Sequence, residues 1–215
     1  MKISDTVKFF FQYLLSPLIL LGLGYIINSN AEQQKQALQK IQITEDIVKN
    51  VFDGNSAKAF TLVGLLPTLI DDKNLTDSIT VKVKIYYSNA ASAAAKNGEA
   101  DKVLEIQNAA VVGLNTTDSK SFVETMSKDE NVKKVNVAKQ FEQKGFTDLF
   151  IHKDFAGAEK AFLKVDSVYP TYHSAYEISR LIKTHQSALN DPARREVTKV
   201  MLLDSIKSRY YSIAK

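Results

Sequence analysis

The sequence predicts an all-α protein, with a transmembrane helix at the N-terminus followed by stacked helical hairpins. Three observations predict it: residues 9–31 carry no charge, glycine and proline are scarce, and apolar residues elsewhere recur at helical spacing. Eight glycines and four prolines in 215 residues supply too few tight turns for a sandwich or barrel. Hydrophobic residues at 45% and charged residues at 24% are the proportions of a chain that buries a core. The chain has no cysteine, which excludes disulfides, thiolate nucleophiles, Cys-ligated zinc and a lipidated cysteine.

The first element is the apolar stretch 9–27, FFFQYLLSPLILLGLGYII. At about 1.5 Å per residue it nearly spans a hydrocarbon core of about 30 Å. Pro17 is tolerable there because Ser16 or a neighbouring helix satisfies the freed carbonyl, and Tyr25 suits an interfacial belt. A cleaved signal peptide is the competing reading, with small residues at Ser29-Asn30-Ala31 and a mature chain beginning at Glu32. The stretch is longer than a usual signal core and ends in bulky residues, which favours a retained single-pass anchor in a bacterial cell membrane. Lys2 and Lys8 on one side nearly balance Lys35 and Lys40 on the other, so the side of the membrane stays open.

Residues 32–112 are predicted as helical hairpins. A helix over 33–52 turns Leu38, Ile41, Val48, Val51 and Phe52 towards one face and stops at Asp53-Gly54-Asn55. Ser56 caps a second over 57–70, with Phe60, Val63, Leu66 and Ile70 inward and Pro67 disturbing its last turn. Thr76 starts a third over 77–96, with Ile79, Val83 and Tyr86 or Tyr87 inward, and Asn97-Gly98 stops it. The β-branched run 79–85 is read as helix because an alanine-rich stretch continues it and no partner strand exists. A fourth helix covers 99–112. Residues 113–135 have the polar composition of a loop or linker, with the apolar island Phe122-Val123 inside it, and a further helix over 121–126 stays open. Residues 136–215 form the last domain.

Within that domain, 141–170 reads FEQKGFTDLFIHKDFAGAEKAFLKVDSVYP. Phe141 and Gly145 stand four apart, and Phe155, Ala158, Phe162 and Pro170 follow in order. In these residues the chain resembles a tetratricopeptide repeat, in which small residues let two helices approach, aromatic residues fill the space beside them, and proline ends the second helix. Gly145 and Ala158 are one residue further apart than in that family. A further helix over 171–186 carries Tyr172, Ala175, Tyr176, Ile178 and Ile182 on one side, but has Arg180 where the family has a small residue. Asn190-Asp191-Pro192 starts a final helix over 193–213, bearing Val197, Val200, Met201, Leu203 and Ile206. The resemblance implies a scaffold that holds a protein or peptide, with Glu142, Phe146, Glu177 and Arg180 towards the groove.

No catalytic constellation emerges. His152, His173 and His185 match no metal or triad spacing, and the last two lie too far apart on one predicted helix to share an ion. Gly22 and Gly24 fall inside the apolar stretch, not in a phosphate loop. Asp71-Asp72 and Asp129-Glu130 read as solvated turns. Eight Lys or Arg in 180–215 oppose Asp191, Glu196 and Asp204, as expected of a solvated face and not of a nucleic-acid site. No catalytic residue, cofactor or metal is expected. The expected function is a membrane-tethered scaffold that binds a protein partner. The alternatives are a structural subunit packed through Ser16, Gly22 and Gly24 of the apolar helix, and a secreted binding protein if that segment is removed.

Overall fold

A computed structural model describes residues 31–210. The apolar stretch 9–27, the cleavage alternative at Ala31 and the end of the final helix at Ile213 lie outside or at the edge of these residues. Among the described residues all regular elements are helices: α1 Ala31–Phe52, α2 Ser56–Leu69, α3 Lys73–Lys96, α4 Ala100–Gly113, α5 Thr116–Met126 and α6 Glu130–Thr147. A π-helical turn, Asp148–His152, then leads to α7 Phe155–Val168, α8 Ala175–Thr184, α9 Gln186–Asn190 and α10 Arg195–Tyr210. None of these helices is long and apolar enough to cross a membrane.

The run 79–85 is helical, as expected, with Ile79, Val83 and Tyr87 buried. α3 begins earlier than Thr76 because Asp72 accepts the Leu75 amide at 3.0 Å and so caps the first turn. Gly98 stops the helix at φ +82. α2 takes Asn55 as its N-cap, bonded to the Lys58 amide at 3.0 Å, and ends two residues after Pro67. Ser56 lies inside that helix and donates to Glu105 at 3.0 Å.

Residues 113–135, expected as a linker, are mostly helix. Asn115 accepts the Asp118 amide at 2.9 Å, and Asp129 accepts those of Asn131 and Val132 at 2.8 and 3.2 Å. Most of the polar residues that imitate a loop are therefore caps and outer faces, with Ser119 buried and bonded to the Thr116 carbonyl, while Phe122, Met126, Val132 and Val135 are buried.

Several predicted faces are rotated. Leu38 is exposed because the buried stripe of α1 runs through Ala37, Thr44, Ile47, Val48 and Val51. Tyr176 is exposed because α8 buries Ala175, Ile178, Ser179 and Ile182, one residue out of phase with it. α8 starts four residues later than expected, since Tyr172 is drawn fully into the core and His173 and Ser174 take positive φ. α10 buries Thr198, Leu202 and Ile206, and leaves Val197, Val200 and Met201 outside.

The described chain divides into two compact units, 31–89 with Glu105–Val123 and Ala90–Leu104 with 124–210. In the first, Phe60 is the hub, with ring centroids 5.0 Å from Tyr87 and 5.2 Å from Phe122. α2 and α4 meet at glycine: a Cβ on Gly64 would stand 2.0 Å from the Gly113 carbonyl oxygen. In the second, α7 packs on both α6 and α8. Gly145 faces the Phe162 ring so closely that a Cβ would stand 2.7 Å from it, and Ala158 and Phe162 are fully buried. Phe141 is only half-buried. The π turn Asp148–His152 lies between Gly145 and Ala158, where one extra residue is taken up within the helix end.

Candidate functional site

The segment 169–174, between α7 and α8 in the second unit, is fastened at every second residue. Tyr169 donates its buried hydroxyl to the Ala95 carbonyl at 2.6 Å. Thr171 lies against Gly98, where a Cβ would stand 3.0 Å from its hydroxyl oxygen. His173 Nδ1 is 2.7 Å from Glu142 of α6, and Nε2 is 2.7 Å from Asp101 in the first turn of α4. The ring lies 4.1 Å from that of Tyr172. Non-glycine residues with φ of 47 and 52, as at His173 and Ser174, cost on the order of 1 kcal/mol each, so the contacts on either side hold the backbone there.

Burial alone would lower the His173 pKa, but the hydrogen bonds and charges of Glu142 and Asp101 outweigh it and raise the value above the ordinary one. Burial, then the charges of Glu142 and Asp101, push the Tyr172 phenol far up. Both ring nitrogens of His173 are engaged by carboxylates. The two carboxylates address opposite edges of the ring and do not converge on one ion. Among the described residues no group of three His, Asp or Glu is arranged to hold a metal.

A second polar cluster sits at the π turn. Asp148, with a buried carboxylate, accepts from Lys144 at 2.5 Å and lies 3.1 Å from His152 Nδ1. The Lys144 bond holds the Asp148 carboxyl below its usual range against the cost of burial, and His152 adds to the effect. Asp148 also accepts the Asp154 amide through its carbonyl at 2.9 Å, which closes the turn. The cluster shapes a helix end.

The four residues expected to line a groove lie in different surroundings. Glu142 is buried and bound to His173. Phe146 packs edge-on against Phe162 at 5.0 Å and stacks on Phe150 at 6.2 Å. Glu177 and Arg180 are exposed on α8. His185 closes α8, with its amide bonded to the Leu181 carbonyl at 3.2 Å.

The outer face of α10 is the surface that sequence reasoning missed. Val197, Val200 and Met201 are 75%, 61% and 42% exposed, at the i, i+3, i+4 spacing of one helical stripe. With Glu196, Asp204, Ser205 and Ser208 they line a shallow open depression. Glu196 is paired with Lys199 at 3.2 Å. The signal was present in the sequence, because α10 has apolar residues on two faces and a helix in one layer buries only one. Comparison with protein-family models, with curated proteins and with solved structures returned no match.

Proposed function

We propose that this chain is a membrane-tethered helical scaffold that binds a protein partner and performs no catalysis. The observation that carries the reading is the exposed stripe Val197, Val200 and Met201 on α10, edged by Glu196 and Asp204. Exposed valines at helical spacing gain from burial against a complementary helix, at roughly 25 cal/mol per Å² of apolar surface covered. Asp204, among the apolar residues, asks for a Lys or Arg opposite it, so the occupant is an amphipathic helix with an apolar seam and a basic residue. The close approach of Gly145 to the Phe162 ring and the burial of Ala158 between α6 and α7 support a tetratricopeptide-like scaffold. The uncharged stretch 9–27 supports the tether, which would raise the local concentration of a membrane-bound partner.

The test is site-specific photo-crosslinking of the full chain in its native membranes, from Val200 and, as a control, from Ile151. A protein adduct from Val200 that disappears in Met201→Asp and Asp204→Lys supports the reading. No adduct, an equal adduct from Ile151, or an adduct made of lipid or of two copies of this chain overturns it.

A further inference from the structure

The position of His173 has a consequence that does not depend on the partner reading. Each ring nitrogen faces a carboxylate oxygen at 2.7 Å, Glu142 on one edge and Asp101 on the other. A carboxylate only accepts, so both contacts are hydrogen bonds when both nitrogens carry protons. The neutral ring has one N–H, and its bare nitrogen would set a lone pair against a carboxylate at hydrogen-bond distance. One contact must then break. The two partners differ in freedom: the Glu142 side chain is 12% exposed and the Asp101 side chain is 85% exposed. Burial holds Glu142 in place beside the ring, whereas Asp101 can turn into water at little cost. The groups facing the ring include Asp101 from α4, Glu142 from α6 and the Tyr172 ring within its own segment.

We propose that segment 169–174 is a proton-operated latch, in which doubly protonated His173 ties the first turn of α4 to α6 and its deprotonation releases Asp101. Two neighbouring features make the segment suited to move as a piece. His173 and Ser174 are held at positive φ, so losing a tether favours relaxation of the backbone. Thr171 rests on Gly98 at the foot of α4, so the same movement reaches the turn between α3 and α4. Tyr169 and Tyr172 stay anchored by burial and by the bond to Ala95, which confines the change to the imidazole and the helix start. The raised His173 pKa puts the release on the alkaline side of the ordinary histidine range.

The experiment uses the full chain in detergent micelles and reads two things across pH 5.5–9. Long-range nitrogen–proton correlation follows the His173 ring nitrogens, and hydrogen exchange, divided by intrinsic rates, follows the amides of 99–104. The latch predicts two protonated nitrogens at pH 6.5, a midpoint above the ordinary histidine value, and exchange at 99–104 roughly tenfold faster above that midpoint, the scale on which one charge-assisted hydrogen bond acts. Asp101→Asn lowers the midpoint and removes the exchange step. His173→Asn, whose side chain tolerates positive φ, removes the step as well. A midpoint at or below the ordinary value, or a step that survives either substitution, overturns the proposal. If His173→Asn does not fold, the wild-type titration and Asp101→Asn decide alone.

Discussion

Replacing Gly64 by alanine sets two effects of opposite sign against each other. Helix propensity alone favours alanine within α2 by about 1 kcal/mol. Packing opposes it, because the new Cβ would lie 2.0 Å from the Gly113 carbonyl oxygen, about 1.4 Å short of the 3.4 Å at which ordinary contact begins. The obstructing atom is backbone and has no rotamer to escape into, so the α2 and α4 backbones must separate. Phe60, Val63 and Leu66 on the same helix are buried, and part of that packing is lost with the separation. Overpacking costs about 1–3 kcal/mol and occasionally more; a clash this deep with a backbone atom falls at the upper end, so after the propensity gain of about 1 kcal/mol the net loss is about 2 kcal/mol. For a chain of this length that is roughly 4–8 °C in Tm. Thermal and urea unfolding followed by far-ultraviolet circular dichroism measure it. Gly54→Ala is the control, since its site is open and its cost is only the positive φ of 69, about 1 kcal/mol. An unchanged or higher Tm for Gly64→Ala would refute the close helix crossing.

Other perturbations separate the roles of similar residues. Tyr169→Phe removes the buried bond to the Ala95 carbonyl and should cost about 1–2 kcal/mol in urea unfolding. Tyr87→Phe should be neutral or stabilising by up to about 1 kcal/mol, because that hydroxyl is buried with no partner among the described residues. Asp129→Ala deletes the cap of α6 and should cost about 1–2 kcal/mol, read from the shift of the urea midpoint. The pH profile of stability should fall on both flanks. Hydrogen bonds from Lys84, Ser92 and Lys144 hold Asp118, Asp129 and Asp148 below the usual range, so their contribution is present above the unfolded carboxylate pKa and lost as pH falls through the folded values. His173 has the opposite sign: its contribution is complete below the unfolded histidine pKa and disappears as pH rises through the raised folded value. Chemical denaturation at a series of pH values checks both flanks, and Asp101→Asn should flatten only the alkaline one.

Helix type was legible where spacing, caps and composition agreed. The run 79–85 reads as helix despite its β-branched residues, and Gly98 stops α3 where expected. Composition left the helices of 113–135 unread, because Asn115 and Asp129 resemble loop residues until their amide and carboxyl oxygens accept helix amides. Periodicity located the apolar stripes but not which of two stripes turns inward, so Leu38, Tyr176, Val197, Val200 and Met201 lie outside while Ile206 is buried as expected. That choice depends on the neighbouring helices and is invisible within one segment. The His173 cluster was out of reach for another reason: Glu142 and Asp101 lie 31 and 72 residues away in sequence, and no local pattern brings them together. The Gly64 and Gly113 crossing joins residues on separate helices and left no motif either.

A scaffold that gathers a partner at the bilayer has to remain attached to it, and alkaline extraction of native membranes followed by intact-mass measurement tests that directly. The tethered reading predicts that the 24.0 kDa chain stays in the membrane pellet with residues 9–27 intact. A chain beginning at Glu32 and recovered in the alkaline supernatant would contradict it.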